Sequence, residues 1–484
     1  MQGQKVPPHI AFGLPAADRR QSMDAIQLPE KVKYIIQVLC ANGFEAFAVG
    51  GCVRDSLLGR IPGDWDITTN AKPAQVKQLF PHTIDTGIEH GTVTVMLERD
   101  GFEVTTYRID GEYEDARHPK QVEFTQNLTE DLRRRDFTIN AMAYSDETGL
   151  IDVFGGMRDL EQRVIRCVGR ADDRFDEDAL RIMRAVRFSA QLDFSVEQDT
   201  LRSIASHAGN LSRISVERIR TELTKLLLSD HPEHLLAAQE LGLTRVFLPE
   251  FDRMLATPQE NPHHIYDVGT HTIHALRHLV GRDAQLPPKN RLILRYAVLL
   301  HDVGKPVVRT VDAAGVAHFY RHADTGADMA REILRRLRFD NETISAVGHL
   351  IALHDYRYAS ENKSVSERTV RRAVSRVGAD WLETHFLLQE ADLNAQNPAL
   401  LPDKLRQLSE AKALAGRILA AGQCISLKML AVNGSDLIAA GFPPGKSIGA
   451  ALDDLLNYVL EHPEANTRED LLARAAALLE PGKR

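Results

Sequence analysis

The stretch GGCVRDSLLGRIPGDWDITT contains two aspartates, Asp64 and Asp66, separated by a single residue. On a strand two such carboxylates point the same way and repel each other, so a fold keeps them mainly when something else neutralises their charge. Glu103, on a predicted neighbouring strand, can join them. Three converging carboxylates form a hard-oxygen site of the kind that holds Mg²⁺ together with substrate phosphates. Two such ions would flank a transferring phosphoryl group, activating an attacking hydroxyl and stabilising the leaving pyrophosphate.

The glycines at the start of the same stretch suit phosphate binding. Gly50 and Gly51 lie between a predicted strand and a predicted helix, where glycine lets backbone N–H groups approach a triphosphate closely. The helix dipole and Arg54 add positive potential at that point. A Gly-Gly pair or an Asp-x-Asp pair alone is weak evidence, but both on one strand–turn–helix–strand frame indicate a phosphoryl-transfer site.

A second polar group lies in LRRRDFTINAMAY. Arg134 and Arg135 suit triphosphate oxygens because a guanidinium binds two oxygens at once. Asp136 and Asn140 could exchange hydrogen bonds with ribose hydroxyls. The alternative is the start of a surface helix with Asp136 as its cap.

A small α/β sheet is expected to position these residues. LPEKVKYIIQVLCANG predicts an amphipathic helix, EAFAVGG a short strand running into the glycines, VRDSLLG a helix and DWDITT a strand. GTVTVML and FEVTTYR predict paired strands, the second containing Glu103. From about residue 166 strands nearly vanish and apolar residues recur at helical spacing, so the rest of the chain is predicted to be mostly helical.

The composition excludes several classes of protein. The 484 residues are 43% hydrophobic and 26% charged, as in an ordinary globular protein. The four cysteines are scattered without CxxC spacing, which indicates neither a zinc knuckle nor a disulfide framework and fits a reducing cytosol. No signal sequence and no apolar run of membrane-spanning length is apparent, so we expect neither export nor membrane insertion. The net charge of −8 argues against indiscriminate coating of nucleic acid, although arginines cluster between residues 163 and 187.

The motifs GGCVRD, DWD, RRRDFTINA and DEDALRIMRAVRF, in this order, resemble the bacterial class II tRNA nucleotidyltransferases, the CCA-adding enzymes and their poly(A) polymerase relatives. The resemblance covers roughly residues 30 to 250. It implies a polymerase-β-like nucleotidyltransferase head followed by a helical neck.

The resemblance also implies roles for individual residues. Asp64 and Asp66 would bind metal, and Glu103 would complete the carboxylate set. The remaining implied nucleotide-binding residues are Gly51, Arg54 and Arg135 for the triphosphate, Asp136 for the ribose, Asp178 and Arg181 for the base, and Arg184 and Arg187 nearby.

The base-reading assignment has a physical basis. Asp178 and Arg181 are three apart on a predicted helix, so their side chains should be neighbours. A carboxylate beside a guanidinium complements an amino group next to a ring acceptor, the edge that cytosine and adenine share. Guanine and uracil place a carbonyl at the carboxylate and are rejected by repulsion. The alternative is an ordinary salt bridge between the two residues.

The stretch DGEYEDARHPKQVEF between the strands and the arginines is polar and is predicted to be a mobile loop. In relatives that add only the two cytidines this loop is shortened, whereas here it looks full length. The resemblance therefore favours addition of the terminal adenosine too.

Histidines dominate the second half of the chain. His271, His274 and His278 recur on one predicted helix, and YAVLLHDVGKP ends an apolar run with His301 and Asp302. Together with His322, His349, His354, Asp355 and Asp392, they resemble an HD-superfamily metal phosphohydrolase domain. The resemblance implies that His271, His301, Asp302 and Asp392 are metal ligands and that His322 and His354 complete a second site. This donor set suits Mn, Fe, Co or Ni better than structural zinc, and the alternative is an inherited but idle fold.

Four domains are expected: a nucleotidyltransferase head over 30–165, a helical neck with the base-reading helix over 166–254, an HD domain over 255–395 and a helical tail over 396–484. The predicted function is template-independent, Mg²⁺-dependent addition of CCA to the tRNA 3′ end from CTP and ATP in the cytoplasm, with a possible second hydrolase activity using Mn, Co or Ni. The alternatives are a poly(A) polymerase or A-adding enzyme and, from another class, a phosphohydrolase whose head merely binds nucleotides or RNA.

Overall fold

The computed structural model describes residues 26–110, 122–358 and 364–479. Residues 111–121, which make up most of the predicted mobile loop, lie outside the described ranges. The chain divides into two compact units, Met1–Pro249 and Glu250–Arg484. The predicted division into four domains stays a prediction.

A seven-stranded mixed sheet forms the centre of the first unit, with strand order β3-β4-β5-β2-β1-β8-β9. The strands of this unit are β1 Ala46–Val49, β2 Ile67–Thr69, β3 Thr83–Gly87, β4 Thr92–Leu97, β5 Asp100–Thr106, β6 Arg108–Asp110, β7 Val122–Phe124, β8 Ala143–Ser145, β9 Gly149–Ile151, β10 Val164–Ile165 and β11 Ser195–Val196. β1 pairs antiparallel with β2, and β2 pairs in parallel with β5, so β2 lies between the glycine-bearing strand and the strand of Glu103.

Helices flank this sheet, and most of the elements that follow it in the chain are also helices. They are α1 Glu30–Ala41, α2 Gly51–Leu57, α3 Pro73–Leu79, α4 Leu128–Arg133, α5 Gly156–Glu161, α6 Ala171–Glu177, α7 Leu180–Leu192, α8 Gln198–His207, α9 Val216–Leu227, α10 Leu235–Glu240 and α11 Thr244–Phe247. The α/β head followed by a mostly helical region confirms the predicted fold class.

Two local predictions in the first unit are wrong. Asp64 and Asp66 do not lie on a strand, because β2 begins only at Ile67, and both aspartates belong to the irregular segment that leads into it. The predicted helix over EDALRIMRAVRF is interrupted, because α6 ends at Glu177 and Asp178 has extended backbone angles before α7 begins. An unbranched acidic side chain that can cap the next helix favours such a break.

In the described part of the second unit the strands form a single short hairpin, β12 Thr310–Val311 with β13 Ala317–His318, and the regular elements are otherwise helices. From the unit boundary onward the helices are α12 Pro249–Leu255, α13 Val268–His278, α14 Pro288–Leu300, α15 Lys305–Val308, α16 His322–Arg336, α17 Asn341–Leu353, α18 Glu367–Val377, α19 Leu382–Asn394, α20 Leu401–Ala420, α21 Gly434–Ala439, α22 Lys446–Glu461 and α23 Arg468–Leu479. Among the described residues, no helix combines the length and apolar character needed to cross a membrane.

Candidate active site and candidate metal centre

The head carboxylates meet at the edge where β2 and β5 begin to pair. Ile67 pairs with Val104, so Asp66 and Glu103 directly precede paired residues on adjacent parallel strands. Val49 donates its N–H to the carbonyl of Asp66 at 3.0 Å, which fixes the backbone of Asp66 beside the end of β1. The three carboxylates, Asp64 included, are exposed, as groups that receive a substrate must be.

The charges of these carboxylates act on one another. The pKa of Asp66 is raised to about 6, chiefly because surrounding protein displaces water, with the charges of Asp64 and Glu103 adding to the rise and Arg135 opposing it. The three carboxylates oppose one another's ionisation, and a divalent cation would offset this repulsion. Because all the ligand atoms are oxygens, the set fits a hard cation such as Mg²⁺.

Arg135 lies against the glycine turn. Gly50 has a φ of 85°, in the left-handed region, and a Cβ at this position would lie 2.9 Å from Nη1 of Arg135. The Nε–H of Arg135 is buried and donates no hydrogen bond to any described residue. An incompletely satisfied guanidinium against a glycine turn, close to Asp66, matches the expected phosphate-binding role. Gly51 begins α2, and a Cβ at this position would lie 3.7 Å from Nη2 of Arg54.

Arg54 is more deeply embedded than a free phosphate ligand. It binds the Asp55 carboxylate through Nε and Nη2, both at 2.9 Å, and donates Nη1 to Oδ1 of Asn140 at 2.6 Å. Its guanidinium also lies 4.9 Å from the ring centroid of Phe188. Arg54 therefore ties α2 to the segment that follows the arginines.

Asp136 is held by several partners. Its Oδ2 accepts from Nε of Arg184 at 2.7 Å, and its Oδ1 accepts from Asn140 at 3.1 Å and from the N–H of Phe137 at 2.8 Å. Burial alone would raise the pKa of Asp136, but the charge of Arg184 and the bond from Asn140 lower it to about 2. Asp136 is therefore ionised at neutral pH, and its bond to Phe137 ties it to the adjacent backbone.

The structure gives Asp178 and Arg181 different partners. The Asp178 carboxylate accepts from the N–H of Leu180 at 3.0 Å and from Nη2 of Arg218 at 2.7 Å. Arg181 instead donates to Glu177 at 2.5 Å and to the carbonyl of Arg134 at 2.9 Å. The expected placement of both residues on one continuous helix is wrong, because the helix breaks at Asp178.

Helix α9 supplies partners that sequence reasoning missed. Besides Arg218, its Glu222 accepts from Nε of Arg187 at 2.8 Å. Arg187 also stacks over Phe188 at 3.6 Å, and Arg184 lies over the same ring at 5.3 Å. Arg218 and Glu222 are four residues apart on an amphipathic helix, and this spacing predicts that both side chains lie on one face. It does not predict which partners they contact.

Asp131 is a second residue that sequence reasoning missed. Its side chain is fully buried and accepts from Nε of Arg134 at 2.9 Å and from Oγ1 of Thr68 at 3.0 Å. Nη2 of Arg135 lies 3.7 Å from Oδ2 of Asp131, the oxygen that accepts from Thr68. Asp131 thus connects β2, directly after Asp66, to the arginines.

In the second unit six side chains from several helices converge. His271 comes from α13, His301 and Asp302 directly follow α14, His322 begins α16, His354 directly follows α17, and Asp392 lies near the end of α19. Two triplets have ligand atoms within 4.8 Å of one another: His271 with His301 and Asp392, and Asp302 with His322 and His354. Among the described residues these are the only such triplets, so the head carboxylates form none.

Asp302 joins the two triplets. Its Oδ2 lies 3.2 Å from Nε2 of His301, and its Oδ1 lies 3.6 Å from Nε2 of His322 and 3.7 Å from that of His354. A carboxylate that faces both triplets has the arrangement expected of a ligand bridging two cations.

The imidazoles present lone pairs to one another. His271 and His301 approach through their Nε2 atoms at 3.3 Å, and His322 and His354 do so at 3.2 Å. All four Nδ1 atoms lie 2.7–3.1 Å from backbone carbonyls, which only accept hydrogen bonds, so each Nδ1 carries the hydrogen. If the rings are neutral, every Nε2 then carries no hydrogen and can donate its lone pair to a metal. Imidazoles whose Nδ1–H is held by a backbone carbonyl in this way fit transition-metal ligation.

Asp302 supports the same conclusion. Both carboxylate oxygens are buried and accept no hydrogen bond of regular geometry from the described residues, although Nζ of Lys305 lies 2.6 Å from Oδ2. Burial would raise its pKa, but the neighbouring imidazole of His301 and the ammonium of Lys305 hold the pKa well below its usual range. Gly304 permits this packing, because a Cβ there would lie 2.4 Å from the carbonyl oxygen of His322.

The other histidines named from the sequence lie elsewhere. His274 stacks on Tyr266, His278 meets Glu390 at 3.3 Å, and His349 donates to the carbonyl of Val377 at 2.9 Å. Only His271 of the three-histidine stripe joins the cluster.

Family models match three parts of the chain. The "Poly A polymerase head domain" matches residues 46–166, the "Probable RNA and SrmB- binding site of polymerase A" matches residues 193–255, and the model described as "tRNA nucleotidyltransferase domain 2" matches residues 312–475. The first two lie at the residues that carry the head site and its helical continuation.

Individual relatives extend the similarity. The chain is 34% identical to a CCA-adding enzyme of Limosilactobacillus fermentum over 93% of its own length and 97% of that protein. It is 53% identical to a CCA-adding enzyme of Lactiplantibacillus plantarum, but that match covers 43% of this chain and only about half (51%) of the relative. The crystal structure of the Bacillus stearothermophilus CCA-adding enzyme in complex with CTP superposes with a TM-score of 0.69 at 30% identity, covering 92% of this chain and 96% of that one.

Proposed function

The chain belongs to the family of CCA-adding enzymes, and from this premise we propose that it adds CCA to the tRNA 3′ end from CTP and ATP without a nucleic-acid template. The observation that carries the proposal is the position of Asp66, directly before β2, next to Glu103 on the adjacent strand β5 and beside the Gly50 turn and Arg135. A carboxylate set next to a phosphate-binding turn is what nucleotidyl transfer requires.

In this mechanism the chain's own groups bind and orient. Asp64, Asp66 and Glu103 would hold Mg²⁺, which supplies charge stabilisation at the transferring phosphoryl group when bound. Arg135 and the N–H groups at the start of α2 hold triphosphate oxygens. Asp136, kept ionised by Arg184, accepts from the ribose.

Base selection is assigned to Asp178 and Arg181, each held by a separate partner. Asp178 is oriented by Arg218 and by the start of α7, and Arg181 by Glu177. A carboxylate fixed in this way rejects the carbonyls of guanine and uracil by repulsion. The protein then takes the place of a template.

The decisive test uses a tRNA transcript that lacks its 3′ CCA, incubated with CTP alone, with ATP alone and with both. We expect two cytidines with CTP and completion to CCA only with both nucleotides. Long adenosine tracts on this tRNA or on an unrelated RNA would identify a poly(A) polymerase instead. Extension with ATP only after pre-formed CC would identify an A-adding enzyme.

A second activity is favoured by the six-residue cluster in the second unit. We propose that it is a metal-dependent phosphohydrolase centre that takes Mn, Co or Ni. Four Nε2 lone pairs directed at one another, with a carboxylate between the triplets, suit two cations that polarise a phosphoryl oxygen.

This activity is tested with purified protein supplied with Mn²⁺, Co²⁺ or Ni²⁺ and a 2′,3′-cyclic nucleotide or a model phosphodiester. We expect hydrolysis that His301→Ala removes while nucleotide addition continues. Absence of hydrolysis with all three metals would mean that the cluster is structural.

A further inference from the structure

Helix α19 contacts both triplets of the six-residue cluster. Its residues His385, Gln389 and Asp392 are spaced four and three apart, so their side chains lie on one face of the helix. Asp392 belongs to the first triplet, and its Oδ1 lies 2.9 Å from Nε2 of His271. His385 and Gln389 are buried and bond to the backbone around His354, which belongs to the other triplet.

The ring of His354 follows the backbone at the end of α17. Its Nδ1 donates to the carbonyl of Ile351 at 2.7 Å, so the position of its Nε2 depends on where this end of the helix lies. The helix ends at Leu353, and the last carbonyls of a helix lack the partners that a further turn would supply. Groups that bond to these carbonyls therefore help to set the position of the ligand atom of His354.

His385 bonds to the carbonyl that directly precedes His354. Its Nε2 lies 2.8 Å from the carbonyl oxygen of Leu353, which only accepts hydrogen bonds, so Nε2 carries the hydrogen. Nδ1 then accepts from the hydroxyl of Tyr358 at 3.0 Å. Burial lowers the pKa of His385 to about 4, so the ring is neutral at pH 7, in agreement with a single hydrogen on Nε2.

Gln389 bonds to the backbone on the other side of the same ligand. Its Nε2 donates to the carbonyl of His354 at 3.0 Å and to that of Tyr356 at 2.8 Å. Its Oε1 is buried and accepts no hydrogen bond from the described residues, so the side chain acts through the two bonds that it donates. Together with His385, it holds the carbonyls before, at and after His354.

We propose that His385 and Gln389 are positioning residues of the second triplet, which hold the backbone of His354 so that its Nε2 shares a cation with His322 and Asp302. The inference rests on the two-cation centre proposed above. Both residues act through His354 rather than as ligands. Because the same helix supplies a ligand to the first triplet, α19 fixes the two cation positions relative to each other.

The test measures how many Mn²⁺ ions the full-length protein binds and how tightly. Metal-free protein is titrated by calorimetry and by electron paramagnetic resonance, with excess Mg²⁺ present to occupy the all-oxygen site of the head. We expect two Mn²⁺ ions per chain in the cluster. Their spectrum should be that of a magnetically coupled pair, because Asp302 faces both triplets.

His385→Phe keeps an aromatic ring and removes the donor to Leu353. It should weaken binding of the second Mn²⁺ about tenfold and leave the first within about twofold, because partners beyond the direct ligands tune metal affinity by this order. At the same Mn²⁺ concentration the coupled spectrum should give way to that of an isolated ion. Gln389→Met, similar in size to glutamine and without an N–H, should cause the same selective loss.

Two further variants separate positioning from general stability. His385→Gln places an amide N–H where it can donate to the carbonyl of Leu353, and it should restore most of the affinity for the second ion. His349→Phe is the matched control, because the ring of His349 also bonds to a backbone carbonyl, that of Val377 at 2.9 Å, outside the cluster. It should retain both ions. Circular dichroism checks the fold of each variant before titration.

Unchanged affinity for the second Mn²⁺ in His385→Phe and Gln389→Met would overturn the positioning role, as would an equal loss in His349→Phe or an equal loss of both ions. Hydrolysis by the unmodified protein is unaffected by those outcomes, so the proposed activity can stand when the inference fails. Two bound ions without hydrolysis of any tested phosphodiester would defeat the activity instead, and the titrations would still decide the roles of His385 and Gln389.

Discussion

The head site and the cluster of the second unit hold their acidic groups in opposite ways. In the head, Asp64, Asp66 and Glu103 are exposed and lie on an irregular segment and a strand. In the second unit Asp302 is 1% exposed and lies among imidazoles fixed by backbone carbonyls. A site whose remaining ligands arrive with the substrate stays open, whereas a site whose ligands come from the chain can be assembled in the folded protein.

The largest expected effect tests the open site. Asp66→Ala should reduce nucleotide addition by roughly a thousandfold or more, because metal binding to the phosphoryl group supplies several kcal/mol of transition-state stabilisation. Primer extension on a truncated tRNA measures the loss, and circular dichroism checks the fold. Glu147→Ala, an exposed carboxylate in the β8–β9 turn, is the control. Near-normal extension by the Asp66 variant would refute the carboxylate assignment.

The next effect tests the cluster assembled by the chain. His301→Ala should abolish binding of Mn²⁺ or Ni²⁺ and leave CCA addition within about twofold of the unmodified protein, since the two sites use separate ligands. Metal content after dialysis and nucleotide addition are measured on the same samples. His349→Ala, whose ring bonds to the carbonyl of Val377 instead, should retain the metal. Loss of metal in both variants would mean that the cluster is not the binding site.

A smaller effect separates base selection from helix capping. Asp178→Ala should admit UTP and GTP and slow the use of CTP and ATP about tenfold to a hundredfold, since a charged hydrogen bond is worth on the order of 1.5–3 kcal/mol. Arg181→Ala should slow the correct nucleotides without admitting the wrong ones, because the repelling carboxylate remains. Steady-state kinetics with all four nucleotides decide between the two effects. Unchanged discrimination with a lower melting temperature would show that Asp178 only caps α7.

The smallest effects concern stability and its dependence on pH. The folded pKa of Asp66 lies above its ordinary value, so its ionisation opposes folding, and Asp66→Asn should raise the melting temperature at pH 7 but not at pH 4. The pKa of Asp136 is lowered to about 2, so its ionised form stabilises the fold above its ordinary pKa. Asp136→Asn should therefore cost about 2 kcal/mol at pH 7, a cost that fades as the pH falls towards 2.

Thermal melts of both variants at several pH values check these signs. The same pKa of Asp66 predicts that nucleotide addition rises with pH through about 6 at low Mg²⁺ concentration. If Asp66→Asn destabilises the protein at pH 7, ionisation of Asp66 does not oppose folding and the expected repulsion by its neighbours is refuted.

The sequence alone determined the type of elements and much of the chemistry. Alternating apolar residues in GTVTVML gave β4 correctly, and helical spacing gave α1 and α13. The His301-Asp302 pair at the end of an apolar helix identified the part of the second unit where the cluster lies. These features depend on periodicity and residue type within short stretches of sequence, so they can be predicted without knowing the tertiary structure.

Tertiary structure decided which side chains meet. Asp178 and Arg181 are three residues apart, yet a helix break directs one to Arg218 and the other to Glu177. His274 and His271 are on one helix, yet only His271 reaches Asp392, because α13 presents one face to α19. Partners forty or more than a hundred residues away are selected by packing, and packing depends on the whole chain rather than on any local pattern.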